Sequence, residues 1–415
     1  MGPDLARARL AITKWNVPTS GQRGIIPPPK PSLEEMGMSN FLSRLTMLAA
    51  SSLFALGASA KDDPPAADPK AVEVIRELGL TESPTALRDQ KGWRAPKRVI
   101  MVSGTPYGDS QAAASGVEIV TVKNTEELIA QAGTADAIVG GDNVVCDERV
   151  LAAAKKVRWV AVMSAGVEEC LGKAGLDRPG LTVTNMRAVA GPVMAEHSIA
   201  LAFALSRSLQ VSVGRQATGE GWNRSFAGSQ PQALTGKTML IAGLGGIGLE
   251  VAKRAHALGM KVIATRGSSR EGPDFVSYVG LSDELPTLIS QADVVVAALP
   301  LIPATTNLFD AKMFARMKKT AFFINVGRGG SVVTNDLVTA LNNGVIAGAG
   351  LDVTEPEPLP KDHSLWKAKN IIITPHMSAQ SDLGQGKRML ILGEQIRRFA
   401  AGDKLLSVVD IRKGY

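Results

Sequence analysis

Residues 238–270 read TMLIAGLGGIGLEVAKRAHALGMKVIATRGSSR, and the fold of the chain can be worked out from this stretch. Two short aliphatic runs, 238–242 and 261–264, have the length of buried strands. A glycine-rich turn follows the first run and opens a segment of helix-forming residues. A strand, a glycine turn, a helix and a second strand in this order predict a βαβ unit with parallel strands.

The glycine turn has the spacing G-x-G-x-x-G. Gly243 permits a tight turn, Gly245 lets the backbone approach a diphosphate, and Gly248 lets the helix pack on the strand. The helix begins at Gly246 and Ile247, whose amides have no partner within the helix and can bind an anion. The stretch therefore predicts a dinucleotide-binding site.

The end of the second strand indicates which dinucleotide is bound. Residues 264–270 read ATRGSSR, without the acidic residue that would bind both ribose hydroxyls. A missing carboxylate removes repulsion of a 2′-phosphate, and Arg266, Ser268 and Arg270, preceded by Thr265, are placed to bind that group. We therefore expect NADP(H), with NAD(H) as the alternative if these side chains are only solvated loop residues.

Short aliphatic runs alternate with helix-like segments on both sides of a long apolar helix predicted over residues 192–208. Continuous apolar strands alternating with helices indicate parallel sheets covered on both faces. We therefore predict an α/β fold of two doubly wound parallel-sheet domains, the second a Rossmann NAD(P)-binding domain. The family resemblance given below implies that the first is a flavodoxin-like substrate domain and that the active site lies in the cleft between the two. The predicted strands are residues 98–103, 117–122, 135–140, 157–163 and 181–184 in the first domain and 238–242, 261–264, 293–299, 321–325, 348–353 and 370–374 in the second.

The predicted domains are not contiguous in the sequence. Residues 61–207 and 378–415 are assigned to the substrate (catalytic) domain, and residues 208–377 to the NAD(P)-binding domain. The last segment is helical over residues 387–401 and is too short to form a domain of its own. We therefore expect it to pack back on the first domain.

Residues 1–60 are expected to be a leader outside the fold, made of an upstream extension and a secretory signal peptide over residues 38–60. The signal has one cation, Arg44, then an uncharged apolar run over residues 45–56, then small residues before Lys61. A core helix and an unstructured tail are the alternatives for this stretch. If the signal is used, the protein is exported to the bacterial periplasm, and otherwise it is cytoplasmic. The run is too short for a stable membrane anchor.

The composition excludes several classes of protein. Of the 415 residues, 45% are hydrophobic and 20% charged, which is ordinary for a globular chain and excludes wholesale disorder. The net charge is +7, but residues 1–60 hold six cations against three acidic groups, so +4 remains for the rest. No basic stripe with interleaved aromatic residues is present, so nucleic acid is not expected as a partner.

The cysteines and histidines are few and scattered. Two cysteines are too few for a disulfide scaffold, and four separated histidines give no metal-binding spacing, so no metal is expected. Cys146 and Cys170 are predicted to be free buried thiols, although export would permit a disulfide between them.

Three later motifs follow predicted strands of the second domain. They are NVGRGG, LDVTEPEPLP and TPH, and they contain Arg328, Glu357 and His376. A guanidinium can bind a carboxylate and polarise the adjacent carbonyl. A histidine can transfer the proton of the substrate oxygen, and a carboxylate on its second nitrogen fixes the tautomer. Because chemistry in such sheets lies beyond the carboxyl ends of the strands, these three residues are the candidate catalytic set.

In this order and spacing, GLGGIG, NVGRGG, LDVTEPEPLP and TPH resemble the D-isomer-specific 2-hydroxyacid dehydrogenase family. Upstream, WVAVMSAGVE is similar to the substrate loop of that family, and VTNMRAVAGPVMAEHSIALAFALSR to its interdomain helix. The resemblance covers about residues 97–415, and the closing VVDIRKGY is similar to the glyoxylate and hydroxypyruvate reductase branch.

The resemblance implies an NAD(P)-dependent oxidoreductase that acts on CH–OH groups and reduces small 2-oxo acids of the glyoxylate and hydroxypyruvate type. Arg328 would bind the substrate carboxylate and its 2-oxo group, His376 would be the acid/base, and Glu357 would support His376. Backbone amides of Ser164, Ala165 and Gly166 would meet the same carboxylate. The resemblance adds the following coenzyme contacts to the glycine turn: Leu299, Pro300, Thr305, Val326, Gly327 and Asp352.

The family resemblance also implies a homodimer formed through the coenzyme domains. Two other functions stay open at this point. One is an enzyme similar to phosphoglycerate dehydrogenase, although the chain leaves no room after Tyr415 for the regulatory domain of the long forms. The other is a binding protein without activity, similar to the NAD(H)-sensing transcriptional corepressors, against which the export signal and the lack of a basic patch both argue.

Overall fold

The computed structural model describes residues 66–102, 116–226, 230–382 and 384–412. The predicted leader and its signal peptide, residues 1–60, lie outside the described residues. Within the described ranges, no helix combines the length and the apolar character needed to cross a membrane.

The first sheet has five parallel strands in the order β2-β1-β3-β4-β5. This is the strand order of the flavodoxin-like fold. Every residue of β3 and β4 is buried, because these central strands are covered on both faces. The strands are β1 (Arg98–Val102), β2 (Glu118–Val122), β3 (Ala137–Gly140), β4 (Trp159–Val162) and β5 (Thr182–Thr184).

The second sheet has seven parallel strands in the order β12-β11-β10-β9-β6-β7-β8. The order reverses between β6 and β9, which is the switch point where dinucleotide-binding sheets hold their ligand. The strands are β6 (Thr238–Ala242), β7 (Lys261–Thr265), β8 (Val276–Gly280), β9 (Val294–Ala297), β10 (Phe322–Asn325), β11 (Gly348–Leu351) and β12 (Ile371–Ile373).

Two parallel α/β sheets confirm the predicted fold class, and one strand was not foreseen. The sequence predicts six strands in the second domain, and the structure adds β8 at the edge of the sheet. Its sequence, VSYVG, has exposed residues at its second and third positions, and a register irregularity interrupts its pairing with β7. A short edge strand of this kind lacks the continuous apolar run by which the other strands were predicted.

Helices cover both sheets and begin at identifiable caps. The side chain of Asn124 accepts a hydrogen bond from the Glu127 amide (2.9 Å), and that of Asp310 accepts one from the Met313 amide (2.8 Å). In the described residues the helices are α1 (Pro69–Glu77), α2 (Thr125–Ala132), α3 (Asp142–Val145), α4 (Glu148–Ala153), α5 (Gly191–Ser206), α6 (Leu209–Thr218), α7 (Gly246–Ala257), α8 (Leu285–Leu288), α9 (Ala311–Arg316), α10 (Thr334–Asn342) and α11 (Gly384–Ala401).

Helix α5 follows the last strand of the first sheet and packs on the second. Its buried Met194, Leu201 and Leu205 belong to the same apolar cluster as Ile241 of β6. The helix ends at Ser206, and Ser208 takes the left-handed conformation (φ 54°) before α6 begins. The predicted boundary between the two domains, at residue 207, therefore comes just after α5. The buried apolar side chains of this helix pack against the second sheet.

The C-terminal helix α11 returns to the first sheet. Its Ile391, Ile396 and Phe399 share an apolar cluster with β1 and β4. The ring of Phe399 lies 5.1 Å from that of Trp159, whose indole nitrogen donates to the Thr184 hydroxyl (3.0 Å). Burial of these large side chains fixes helix α11 against the first sheet.

Cys146 and Cys170 form a disulfide, so the prediction of two free thiols is wrong. Cys146 follows α3, and Cys170 ends a short 3₁₀ turn, Glu168–Cys170. Their Cα atoms are 5.0 Å apart, within the range that a disulfide requires. A separation of 24 residues with a strand between them gave no sign that α3 and this turn lie side by side.

Replacing both cysteines with alanine is expected to lower the free energy of unfolding by about 3 kcal/mol, because a cross-link that closes a loop of this length removes chain entropy from the unfolded state. Urea unfolding followed by tryptophan fluorescence, with and without dithiothreitol, measures the effect. The reductant should lower the midpoint of the wild type and leave that of the double variant unchanged. Equal wild-type midpoints in both buffers would contradict the prediction.

Candidate active site

The three candidate catalytic residues follow three neighbouring strands of the second sheet. Arg328, Glu357 and His376 come three, six and three residues after the ends of β10, β11 and β12. Because these strands are parallel and adjacent, all three side chains start from the same edge of the sheet.

His376 and Glu357 are bonded to each other. Nδ1 of His376 lies 2.6 Å from Oε1 of Glu357, and 45% of the histidine side chain remains exposed. An ionised carboxylate only accepts hydrogen bonds, so the proton is on Nδ1 and Nε2 is left to face a substrate. The main chain of His376 is left-handed (φ 49°) and is held by a hydrogen bond from its amide to the Asp352 carbonyl (2.8 Å).

Arg328 is held by its own main chain. Its carbonyl accepts hydrogen bonds from the Asn325 side-chain amide (3.0 Å) and the Ser331 hydroxyl (2.8 Å). Its Nη1 donates to the Gly327 carbonyl at 2.8 Å. These contacts fix the main chain from which the Arg328 side chain extends beyond the end of β10. Neither His376 nor Glu357 is a hydrogen-bond partner of Arg328.

The partner of the Arg328 side chain is Glu168, which begins the 3₁₀ turn after β4 of the first sheet. Nε of Arg328 lies 3.1 Å from Oε1 of Glu168, and Nη2 lies 3.1 Å from Oε2. This two-pronged contact is the geometry in which a guanidinium binds a carboxylate. The pair lies directly over Gly166, since a Cβ atom at that position would overlap both the Arg328 Nη2 and the Glu168 carboxylate.

The predicted substrate loop has its carbonyls engaged and its amides available. The Ser164 hydroxyl donates to the Gly166 carbonyl (3.0 Å), and the Asn185 side-chain amide donates to the Ala165 carbonyl (2.7 Å). Across the described parts of the chain, the amides of Ala165 and Gly166 donate no hydrogen bond. Two unpaired amides beside a guanidinium form an arrangement that can bind a carboxylate.

The glycine turn has the space that a dinucleotide requires. Gly243 is left-handed (φ 101°), and a Cβ there would come within 2.7 Å of the Ala298 carbonyl. A Cβ at Gly248 would overlap the Gly243 carbonyl, so only glycine lets α7 pack this closely. By contrast, nothing lies within 4 Å of a Cβ at Gly245, so the start of α7 at Gly246 and Ile247 is open to a diphosphate.

The turn after β9 packs against the loop that carries Arg328. The Thr305 hydroxyl donates to the Pro300 carbonyl (2.6 Å) and accepts from the Ile302 amide (2.9 Å). A Cβ at Gly327 would come within 2.7 Å of the Leu299 carbonyl, so this glycine lets the two loops touch. Thr305 and the neighbouring Val326 are buried, so a coenzyme would meet this region mainly through its main chain.

Asp352, predicted to lie against the nicotinamide, has its carboxylate buried inside the protein. It accepts hydrogen bonds from the Met377 and Ser378 amides (both 3.0 Å) and from the Thr374 hydroxyl (2.6 Å). Burial alone would raise the pKa of Asp352, but hydrogen bonds from Ser378, Thr374 and Met377 outweigh it and hold the pKa below its usual value. The carboxylate therefore stays ionised and fixes the loop that presents His376.

A further hydrogen bond connects this loop to the interdomain helix. Nε2 of His197 lies 2.9 Å from the Thr374 hydroxyl. Since that hydroxyl gives its one proton to Asp352, His197 must donate, which assigns its proton to Nε2. His197, on α5, thereby supports the His376 loop from behind without reaching the substrate.

The four residues predicted to select the coenzyme have different surroundings. Thr265 is buried and Ser268 exposed. Arg270 is paired with Glu284 (2.8 Å) and bonded to the Tyr278 hydroxyl (3.0 Å), so its charge is already partly neutralised. The side chain of Arg266 donates to the Glu271 carbonyl (3.1 Å), and in the described ranges no carboxylate lies at ion-pair distance from it. Arg266 is thus the cation best placed to bind an added phosphate.

Comparison with known proteins decides the family. Residues 199–378 match the family model for the D-isomer specific 2-hydroxyacid dehydrogenase, NAD binding domain. A glycerate dehydrogenase of Methylorubrum extorquens is 35% identical over 257 residues, which cover 59% of this chain and 77% of that relative. This chain belongs to the D-isomer-specific 2-hydroxyacid dehydrogenase family.

Other relatives and solved structures agree with this assignment to the D-2-hydroxyacid dehydrogenases. The human glyoxylate reductase/hydroxypyruvate reductase is 31% identical over 281 residues, covering 65% of this chain and 84% of the relative. A family member from Aeromonas salmonicida has 32% identity and a TM-score of 0.66, covering 76% of this chain and 100% of that one. The NADPH-dependent glyoxylate/hydroxypyruvate reductase of Sinorhizobium meliloti, solved with NADP and sulfate, has 26% identity and a TM-score of 0.64, covering 77% and 100%.

The D-3-phosphoglycerate dehydrogenases are also similar but longer. That of Methanocaldococcus jannaschii is 32% identical over 298 residues, and this chain spans 55% of its length.

As a member of the D-2-hydroxyacid dehydrogenase family, the protein is an NAD(P)-dependent oxidoreductase that acts on CH–OH groups. The reaction class predicted from the motifs is thereby confirmed.

Two functional features of this D-2-hydroxyacid dehydrogenase escaped the sequence analysis. Glu168 is the last residue of the predicted substrate loop WVAVMSAGVE, but no local pattern indicates that it meets an arginine 160 residues later. The bond between His197 and Thr374 joins two motifs that were each recognised separately. The available signals were the position of Glu168 at the end of the predicted substrate loop and that of His197 on the interdomain helix.

Proposed function

We propose that this D-2-hydroxyacid dehydrogenase reduces small 2-oxo acids of the glyoxylate and hydroxypyruvate type. The observation that carries the proposal is the position of the Arg328 guanidinium against Gly166 of the predicted substrate loop, while Arg328 itself comes from the sheet edge that also carries the His376–Glu357 pair. The closing VVDIRKGY segment and the relatives that reduce glyoxylate and hydroxypyruvate support this substrate class.

The chain supplies binding, orientation and a proton. The substrate carboxylate would lie on the loop amides and Arg328, and the same guanidinium would stabilise the negative charge that grows on the 2-oxo oxygen. The imidazolium form of His376 would donate its Nε2 proton to that oxygen, and Glu357, bonded to Nδ1, would stabilise the imidazolium until that proton leaves. A nicotinamide coenzyme, held at the glycine turn, supplies the hydride when bound.

A spectrophotometric panel tests the substrate class. Glyoxylate, hydroxypyruvate, pyruvate, phenylpyruvate and 3-phosphohydroxypyruvate are each offered with NADPH, and absorbance at the coenzyme band is followed. We expect the highest kcat/KM with glyoxylate or hydroxypyruvate. A clear preference for the phosphorylated compound would move the protein to the phosphoglycerate group, and negligible turnover with every acid would contradict a catalytic role.

We further propose that NADP(H) is preferred over NAD(H). The carboxylate that would bind both ribose hydroxyls is absent after β7, and Arg266 lies there with no carboxylate partner among the residues that the structure describes. The NADP complex of the Sinorhizobium meliloti reductase supports this proposal by analogy.

Replacing Arg266 with glutamine is expected to raise the KM for NADPH by about tenfold to a hundredfold and to leave the KM for NADH nearly unchanged, because a charge-assisted hydrogen bond to the 2′-phosphate is lost. Initial rates at saturating 2-oxo acid measure both constants. The matched control is Arg316→Gln. Arg316 is exposed at the end of α9, six residues before β10 begins, whereas Arg266 follows the carboxyl end of β7. Equal effects on both coenzymes would argue against a phosphate contact.

Export to the periplasm is also proposed, with the cytoplasm as the alternative. The signal-like pattern over residues 38–60 supports export, and so does the Cys146–Cys170 disulfide, because such bonds persist mainly in oxidising compartments. N-terminal sequencing of the protein from its native host provides the test. A mature chain that starts near Lys61 would support cleavage of the signal, whereas one that retains residues 38–60 would contradict it.

A homodimer is proposed on the basis of exposed apolar groups after the interdomain helix. Trp222 is 91% exposed, and Val213 and Leu209 of α6 are 63% and 49% exposed. Helix α6 has no buried residue, although it carries these apolar side chains. Sedimentation velocity at micromolar concentration tests the proposal, and a sharp monomer peak would contradict it.

A further inference from the structure

We propose that Glu168 occupies the substrate-carboxylate position on Arg328 until a 2-oxo acid displaces it, so that this residue sets the affinity for substrate. The inference rests on the proposed role of Arg328 in binding the substrate carboxylate. It makes Glu168 a residue that competes with the substrate carboxylate, weakens the binding of every 2-oxo acid alike and takes no part in the chemical step.

The first observation is the position of the Glu168 carboxylate. It bonds to Nε and Nη2 of Arg328 in two parallel contacts of 3.1 Å each. It also lies against Gly166, whose amide has no hydrogen bond in the described part of the chain. A substrate carboxylate bound by Arg328 and the loop amides would need this same volume, and two anions cannot share it.

The second observation is that Glu168 takes up the whole Nε–Nη2 edge of the guanidinium. Nε and Nη2 are used by Glu168, and Nη1 donates to the Gly327 carbonyl. An incoming carboxylate can therefore use the Nε–Nη2 edge of Arg328, the edge that faces Gly166, only if Glu168 leaves. The side chains of Arg328 and Glu168 are 28% and 25% exposed, so water reaches the pair and can solvate the carboxylate once it leaves.

Competition of this kind lowers the apparent affinity for substrate. Only the fraction of molecules in which Arg328 is open can bind, so the measured dissociation constant is the intrinsic one divided by that fraction. The 3₁₀ turn that carries Glu168 ends at the disulfide-bonded Cys170, so the main chain of the turn is tethered. We therefore expect the side chain alone to move.

The test uses Glu168→Gln in the full-length enzyme with saturating NADPH and the 2-oxo acid that gives the highest kcat/KM. Glutamine keeps the shape but loses the charge, so the KM for the acid is expected to fall about five- to tenfold. The inhibition constant of oxamate, a carboxylate that is not turned over, should fall by the same factor. We expect the KM for NADPH and kcat to change less than about twofold.

Glu169→Gln is the matched control, because Glu169 is the next residue in the same turn and its side chain is exposed. It should leave KM, kcat and oxamate inhibition unchanged. Glu168→Ala removes the competing group completely and should lower both constants at least as far as glutamine does. This second variant keeps the test decisive if the first one folds poorly.

A KM for the acid that stays constant or rises in both Glu168 variants would overturn the inference. A simultaneous loss of kcat would instead make Glu168 a positioning residue that orients Arg328. The Arg328 variant described below separates this failure from failure of the proposed function. If Arg328→Lys retains wild-type activity, the assignment of the carboxylate site itself is wrong, whereas an inactive Arg328→Lys with an unchanged Glu168→Gln contradicts only the competition.

Discussion

Replacing Arg328 with lysine is expected to lower kcat/KM for the preferred 2-oxo acid by about a thousandfold. Lysine keeps the positive charge but presents a single ammonium group, which cannot bind a carboxylate in two parallel bonds and polarise the neighbouring carbonyl as well. Both the binding of the acid and the stabilisation of charge on its oxygen should suffer. Steady-state rates over a range of acid concentrations at saturating NADPH measure the loss.

Coenzyme binding is the internal control for this variant. Arg328 belongs to the loop after β10 and not to the glycine turn, so the dissociation constant for NADPH, measured by quenching of protein fluorescence, should stay within about twofold of the wild type. Arg328→Gln should be at least as damaged as the lysine variant. Activity close to wild type in either variant would show that another group holds the substrate carboxylate.

Replacing His376 with asparagine is expected to lower kcat by about a hundredfold to ten-thousandfold, the range over which a positioned acid contributes. Asparagine keeps a polar group near Glu357 but has no proton to give at neutral pH. The loss should appear in kcat more than in the KM for the acid, because the proton is transferred in the chemical step. Single-turnover reduction under NADPH saturation measures that step directly.

His256→Asn is the matched control for this experiment. His256 is exposed on α7 and stacks on Phe275 with 5.4 Å between ring centres, away from the His376–Glu357 pair. Its substitution should leave kcat unchanged. If His376→Asn kept wild-type turnover with every 2-oxo acid in the panel, the proton would have to come from elsewhere and the role given to His376 would be wrong.

The parts of the fold and site that follow from local sequence were predictable. The glycine turn at Gly243, Gly245 and Gly248 carries its own geometric reason, since a side chain at the first or last of these would collide with neighbouring groups. The order of strands, and the placing of Arg328 and His376 after them, follow because carboxyl ends of parallel strands meet at one edge. Periodicity and motif spacing contain this information.

Contacts between distant segments were not predictable in the same way. The Glu168–Arg328 pair joins residues 160 positions apart, and its formation depends on how two sheets face each other. The disulfide depends likewise on two short segments lying side by side. The sequence predicts that Arg270 binds a phosphate, as Arg266 does. Only the structure shows that Arg270 already forms an ion pair with Glu284 and a hydrogen bond with the Tyr278 hydroxyl.

The Cys146–Cys170 bond also determines how mechanical load would pass through the molecule. It closes a covalent ring that contains α4, the central strand β4 and the substrate loop. Tension applied to the chain ends would run across the sulfur atoms and bypass everything inside the ring. The fully extended chain would be shorter by about 80 Å than the same chain without the disulfide, given roughly 3.4 Å for each residue in the ring. The predicted substrate loop lies inside this ring, so a chain pulled at its two ends would leave that loop unstretched until the disulfide is reduced.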